Sequence, residues 1–513
     1  MVTSFFVLLT LVIVGAAVAN RLPVPHAIVW CILGFTIAFV PKLPLIQFDP
    51  QIALFFFLPP LIYASAVDLP WPEFRDNIRS IAVLGIGLVL ATAALVGVVA
   101  HHWMHLPWGV AIVLSAILSP TDPVAATAVA ERVGIPRRLI AILEGEGLVN
   151  DAVALTIFRL ALAAAITGSF SIRSGLTRFA AILFGEPLYG WLLGIAAARV
   201  RSKITDARLE IAVSLLTPFA AYLVPERLGG SGILATVATG MYIGERRSTL
   251  VPAGTRLHAT SFWQMIVFLL NGVLFLAAGA ELQRVVVTAS SRPELLVWGL
   301  AAAAAVISTR FLWCAGSCIL LWMLRQVGGR ERHPLSPRHL VIVAWSGIRG
   351  PISLAAALAI PAFSGQAAFP AYGIILSVTA VVVICTLFLQ GLTLSPLVRL
   401  LRIGEDAKAE REQAERQELM AEAEAKRAAL RLLSQLEREN KVPKELALRI
   451  RRHYEDQLAD LETGMTQRLT PVLAALLDAE RARILELRNE GRINDQTLTR
   501  LERRMDLRQS LLN

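Results

Sequence analysis

Residues 144–158, EGEGLVNDAVALTIF, gather Glu144, Glu146, Asn150 and Asp151 inside an otherwise apolar stretch. A carboxylate at the centre of a membrane helix costs about 3 kcal/mol on insertion scales, so each such group needs a partner or a use. A second polar set lies in 114–129, LSAILSPTDPVAATAV, where Thr121 and Asp122 fall between Pro120 and Pro123. A third lies in 341–358, VIVAWSGIRGPISLAAAL, where Arg349 stands between Gly347 and Gly350-Pro351. Carboxylate and hydroxyl oxygens are hard ligands suited to Na+, Li+ or K+. Burial penalises the charged form of a carboxyl group and brings proton exchange within cellular pH. Asp151 can then hold one proton or one monovalent cation, and the two compete. Thr121 and Asp122 complete the shell, with Asn150 and the positive end of a half-helix restraining Asp122. If the site reorients only when occupied, the outcome is obligatory counter-transport.

The elements that carry these residues must be interrupted helices. Pro120 and Pro123 each remove a helical hydrogen bond and clash with the preceding turn. Gly347, Gly350 and Pro351 break the other segment around Arg349. Broken helices at membrane depth are tolerated only where protein or a polar cavity satisfies the freed backbone groups. Paired breaks in corresponding places point to a transporter binding site. Asp151 lies twelve residues, about 18 Å, into its segment. Asp122 lies some fourteen residues, about 21 Å, into its own from the opposite side. Against a hydrocarbon core of about 30 Å both fall near the midplane.

The rest of the chain agrees with a membrane setting. Of 513 residues, 55% are hydrophobic and 17% charged, against about a quarter charged in soluble proteins. Thirteen apolar segments are expected, near 3–19, 25–40, 50–67, 78–100, 107–131, 139–165, 179–198, 209–224, 230–244, 262–280, 294–324, 338–361 and 371–398. The fold class is therefore an all-α polytopic membrane protein. Alternate loops, beginning with Arg21, hold 17 basic residues and the others hold six. By the positive-inside rule the first set is cytoplasmic, which puts the N-terminus outside and the C-terminal tail inside. The two broken segments are fifth and twelfth, so they run in opposite directions, as inverted repeats of segments 1–6 and 8–13 would. Arg159, Arg310 and Arg349 lie inside segments, and each needs a partner or a wet cavity. Arg349 is expected to compensate partial charges where the broken helices cross.

The formal net charge of +10 resides in the membrane part, since residues 405–513 hold 21 Lys and Arg against 22 Asp and Glu. Basic cytoplasmic loops account for it, and nucleic acid is not implied. Cys31, Cys314, Cys318 and Cys385 all lie in apolar segments, which suggests neither a disulfide framework nor a transition-metal site.

The TDP break, the ND pair behind an acidic stretch, and the WSGIRG segment, in this order, resemble the monovalent cation:proton antiporters, the bacterial and eukaryotic sodium/proton exchangers. The similarity covers residues 5–400. It implies a thirteen-helix inverted repeat with a dimerisation domain, a homodimer, and a moving ion-binding core domain that works by alternating access. It also implies Asp151 as the ion and proton carrier and Asn150 as its structural partner. An Asn before the essential Asp resembles the electroneutral branch, one cation for one proton. Glu146 matches the family's structural glutamate and Arg310 its segment-11 arginine, so an ion pair between them is implied. Two departures concern the cation shell. Relatives place an acid near Ala64, and a serine where this chain has Gly147.

These readings define a membrane domain over 1–404 and a soluble, helical, cytoplasmic and regulatory tail over 405–513. The expected function is Na+/H+ exchange, with Li+ also carried, in a cell (inner) membrane, serving pH and cation homeostasis. No cofactor is expected beyond the transported ions. Potassium/proton exchange is the alternative within transport. An ion channel and an intramembrane aspartyl enzyme built on Asp122 and Asp151 are the rivals from other classes; neither gives the inverted broken helices a purpose.

Overall fold

The computed structural model describes residues 2–22, 24–40, 50–122, 134–167, 172–289, 292–326, 336–360, 369 and 371–463, with isolated positions beyond. Among these residues there is helix and no strand. Pro123 lies outside the described residues.

In chain order the helices are α1 (Val2–Ala19), α2 (His26–Ile37), α3 (Pro50–Asp68) and the short α4 (Trp71–Asp76). Then come α5 (Ile78–Trp103), α6 (Trp108–Leu118), α7 (Arg137–Thr167), α8 (Gly175–Arg201), α9 (Ala207–Arg227) and α10 (Ile233–Leu250). They are followed by α11 (Ala253–Ala289), α12 (Glu294–Gln326), α13 (Pro337–Trp345), α14 (Pro351–Leu358) and α15 (Tyr372–Leu400). Each of the thirteen expected segments carries helix among the described residues. Seven of these helices are long and apolar enough to cross a bilayer, and the described residues hold shorter apolar helices besides. The two expected breaks are present. Helix α6 stops at Leu118, and α13 stops at Trp345 before α14 restarts at Pro351. Proline suits that restart, because the first N–H of a helix has no internal partner.

The helices pack as two groups. One consists of α1, α2, α3 and α8–α11, the other of α5–α7 and α12–α15. They meet where α10 touches α7, α14 touches α3, and α15 touches α11. In lipid, close van der Waals packing holds helices together, and small residues permit it. Gly34 and Gly279 do so between α2 and α11, since a Cβ on either would overlap the facing backbone of Leu276 or Cys31. Helix α5 contains a π-helical turn, Val83–Leu88, and α15 another, Thr386–Gln390.

The chain divides into two compact units, Met1–Lys408 and Ala409–Asn513. Helix α16 (Ile403–Arg438) leads into the second unit, where α17 (Lys444–Thr463) folds back on it. Arg451 pairs with Glu437 at 2.7 Å and Lys426 donates to Gln457 at 3.0 Å. Asn440 makes the reversal with a left-handed φ of 53°, a common end for a helix.

Candidate ion-binding site

The break in α6 and the break between α13 and α14 cross. The Asp122 N–H donates to the Ile348 carbonyl at 2.7 Å, tying the two unwound stretches together. Gly350 makes the approach possible, because a Cβ there would sit 2.5 Å from Asp122 Cβ and Oδ2. The Asp122 carboxylate therefore lies beside the first turn of α14, the positive end of a helix. The negative ends face Arg349. Its Nε donates to the Leu118 carbonyl at 3.0 Å, at the end of α6, and Nη1 donates to the Gly347 carbonyl just past α13. The Arg349 backbone N–H is received by Thr386 Oγ1 at 3.0 Å, in the π-helical turn of α15. One buried cation thus serves two half-helix C-termini.

Helix α7 supplies the rest. Glu146, Asn150 and Asp151 are all buried on it. Asn150 Nδ2 donates to Thr121 Oγ1 at 2.6 Å, and Thr121 Oγ1 donates to Glu146 Oε1 at 3.4 Å. Arg310 grips Glu146 with both terminal nitrogens, Nη2 to Oε2 at 2.8 Å, while its Nε donates to the Val343 carbonyl at 3.0 Å. Both side chains of this pair are 1% exposed. A bidentate pair with its remaining protons satisfied is the form in which a buried ion pair is tolerable. Asp151 is 4% exposed, Thr121 6% and Asp122 7%. Asp151 lies within electrostatic reach of Asp122. Among the described residues, Asp151 Oδ1 and Asn150 Oδ1 are buried with no hydrogen-bond partner. Buried acceptors of this kind are what a cation or proton would satisfy. Pro120 is buried at the start of the unwound stretch. Among the described residues no cluster of His, Cys, Asp and Glu could hold a metal ion.

A sequence profile of the transmembrane sodium/hydrogen exchangers matches residues 7–400. The chain belongs to that family. Family membership makes it a transporter that exchanges a cation for protons, which sets aside the aspartyl enzyme; the exchanged ions are substrates, not cofactors. An uncharacterised Na+/H+ exchanger of Mycobacterium tuberculosis is 32% identical, the match spanning 98% of this chain and 94% of the relative. A sodium, potassium, lithium and rubidium/H+ antiporter of Bacillus pumilus is 30% identical over 98% of this chain and 76% of its own length. The solved structure of a sodium proton antiporter from Methanocaldococcus jannaschii aligns with a TM-score of 0.60, covering 78% of this chain and 99% of that one at 19% identity. That likeness is one of fold.

Several polar groups of this exchanger fold were not legible beforehand. Arg159, left without a partner in the sequence, pairs with Glu226 at 2.9 Å and donates to the Gly230 carbonyl, joining α7 to the end of α9. Arg201 is buried against Glu210 and donates to Tyr63 Oη at 3.2 Å. Glu186 is buried and accepts from the Ser231 hydroxyl at 3.0 Å and the Gly232 N–H at 3.1 Å, at the start of α10. Ala64 and Glu144 line one cavity of ≈ 220 Å³ with Asp68, Arg201 and Arg247. Gly147 adds no side-chain oxygen beside Glu146.

Proposed function

We propose that the chain is a secondary active antiporter exchanging one Na+, with Li+ as a further substrate, for one H+ by alternating access. The observation that carries this reading is the buried Asp151, whose Oδ1 has no partner among the described residues, next to an Asn150–Thr121 hydrogen bond at the crossing of two interrupted segments. Asp151 releases its proton as the cation enters, and Thr121 and Asp122 oxygens complete the cation's shell. Each occupied state then carries one positive charge, so exchange is electroneutral. Asn150 holds Thr121 in place, and Pro120 and Pro123 keep the stretch from rewinding. The Glu146–Arg310 pair braces α7 against α12, and Arg349 compensates the half-helix ends.

In this reading α5–α7 and α12–α15 form the moving core and the other group carries a homodimer interface. The protein lies in the cell (inner) membrane, N-terminus outside, with residues 405–513 a cytoplasmic regulatory tail, and serves pH and cation homeostasis. A second reading, K+/H+ exchange, draws on the missing oxygens at Ala64 and Gly147 and on the Bacillus pumilus relative, whose name includes potassium.

The test is proton flux in proteoliposomes with a clamped membrane potential, adding Na+, Li+ and K+ in turn. Wild type is expected to dissipate a pH gradient on addition of Na+, and Asp151→Asn to lose this completely. Cation-driven flux through Asp151→Asn equal to wild type would overturn the site. A larger response to K+ than to Na+ selects the second reading.

A further inference from the structure

A cavity that the ion site leaves unused is an apolar groove of ≈ 560 Å³ between the two helix groups. One wall is α5 and α7, at Ile81, Ile86 and Val149. Val149 precedes the Asn150-Asp151 pair and packs on Gly85 in the π-helical turn of α5. The other wall is α8 and α10. Leu183, Pro187 and Trp191 repeat every fourth residue on α8, so they form one stripe. Helix α10 lines the groove from Leu234 to Arg246, about 18 Å of helix. Beside this stripe, Phe184 and Leu188 are 72% and 57% exposed, as lipid-facing side chains are.

The two ends of the groove differ. The inner end is wholly apolar. The end toward the membrane surface carries Trp71 and Trp191, both exposed, and the adjacent Glu245 and Arg246. Arg246 stacks over the Tyr242 ring at 4.0 Å and lies 3.5 Å from Glu245, and both charged side chains are nearly half exposed. Tryptophans beside charges mark the level of lipid headgroups. Half of a hydrocarbon core of about 30 Å is about 15 Å, so the groove is as long as one leaflet is deep. Its volume falls in the range of small-molecule sites, about 300–1,000 Å³.

We propose that this groove is a phospholipid site: one acyl chain lies along α10 as far as Leu234, and a zwitterionic phosphoethanolamine headgroup sits at Glu245 and Arg246. The paired charges select the headgroup. Phosphate meets the Arg246 guanidinium, and the primary ammonium meets the Glu245 carboxylate. A purely anionic headgroup would leave Glu245 facing a like charge. The chain fills a space walled by both helix groups, so any movement of one group past the other must reshape or empty it. That last consequence rests on the exchange reading; occupancy of the groove does not.

The test uses the full chain in lipid nanodiscs with trace phosphatidylethanolamine bearing a diazirine midway along one acyl chain. After photolysis, adducts are mapped by mass spectrometry. Adducts on Val237 and Met241 are expected to exceed those on Leu216, an exposed position on α9, by about tenfold. Ala238→Trp, which fills the groove, is expected to remove the excess. Arg246→Glu, which changes the charged end and leaves the apolar walls in place, is expected to lower it as well. Unlabelled phosphatidylethanolamine should displace the label and phosphatidylglycerol should not. Adducts spread evenly over Val237 and Leu216, an excess indifferent to both substitutions, or equal displacement by phosphatidylglycerol would each overturn the proposal. Loss of proton exchange in Asp151→Asn with labelling intact separates this site from the ion site.

Discussion

Glu146 and Arg310 stand 164 positions apart and meet in a contact from which water is almost excluded. Two charges so placed are costly to bury and costlier to separate. Glu146→Gln leaves the Arg310 guanidinium buried without its counter-charge, and the expected loss is about 3–5 kcal/mol of stability. Replacing both, as Glu146→Leu with Arg310→Met, is expected to recover most of that, since apolar residues of similar volume often match a buried pair. Thermal unfolding in detergent reads both, and a single variant as stable as wild type would show that the pair carries no such burden. The pair was legible because each member stands in an apolar segment at a position the family resemblance marks. Arg159 shows the limit. Its partner Glu226 is 67 positions away at the end of another helix, and local sequence contains no trace of that approach. Thr386 was equally silent. A single hydroxyl in an apolar helix usually bonds its own preceding turn, as Thr386 also does to the Val382 carbonyl. Only the fold shows that it receives the Arg349 N–H as well.

At the scale of elements, breaks read more clearly than extents. Proline and glycine act through backbone geometry, which marked the interruptions at Pro120 and at Gly350-Pro351. Yet α3 runs on through Pro59-Pro60 and α9 through Pro218 and Pro225, so such residues mark where a helix can break and not where it must. Helix α11 instead runs Ala253–Ala289 where hydropathy marked 262–280, because polar residues at its ends leave the membrane without leaving the helix. The π-helical turns were invisible for the opposite reason: side-chain pattern barely changes when one residue is added to a turn. Helix starts again follow local chemistry. Asp206 caps α9, accepting the Arg208 N–H at 2.7 Å and the Leu209 N–H at 3.1 Å through one carboxylate oxygen. The cap hydrogen bonds from Leu209 and Arg208 hold its carboxyl below the ordinary aspartate range. A pKa depressed on folding contributes stability above the unfolded value, near 3.9, and that contribution is lost as pH falls through the folded value. Amide exchange in the first turn of α9 is therefore expected to quicken on acidification in wild type beyond the intrinsic pH dependence. Asp206→Asn still caps but carries no charge, and its first turn should lack this extra acid step. An identical acid response in both proteins would place the titrating group elsewhere.

For the whole molecule, the arrangement rests on direction. The crossing of α6 with the α13–α14 pair brings an anion to one helix start and a cation to two helix ends, and the expected inverted repeat would run the two breaks in opposite directions. Which side of the membrane each end faces follows from a different property, the excess of arginine in alternate loops, 17 basic residues against six. The two can be tested together on α10, whose flanks carry Leu228 before it, 83% exposed, and Ser248 in its exposed last turn. In a cysteine-free background, Leu228→Cys is expected to react with a membrane-impermeant maleimide on intact cells. Ser248→Cys is expected to react only after permeabilisation. The reverse pattern would turn the protein over, put the arginine-rich loops outside, and place the groove rim at Arg246 in the outer leaflet. Reaction of both from one side would mean that α10 does not cross, and the antiparallel crossing of the two breaks would lose its membrane frame. With the expected pattern, the same alternation carries α15 inward at Leu400 and delivers the helical tail to the cytoplasm.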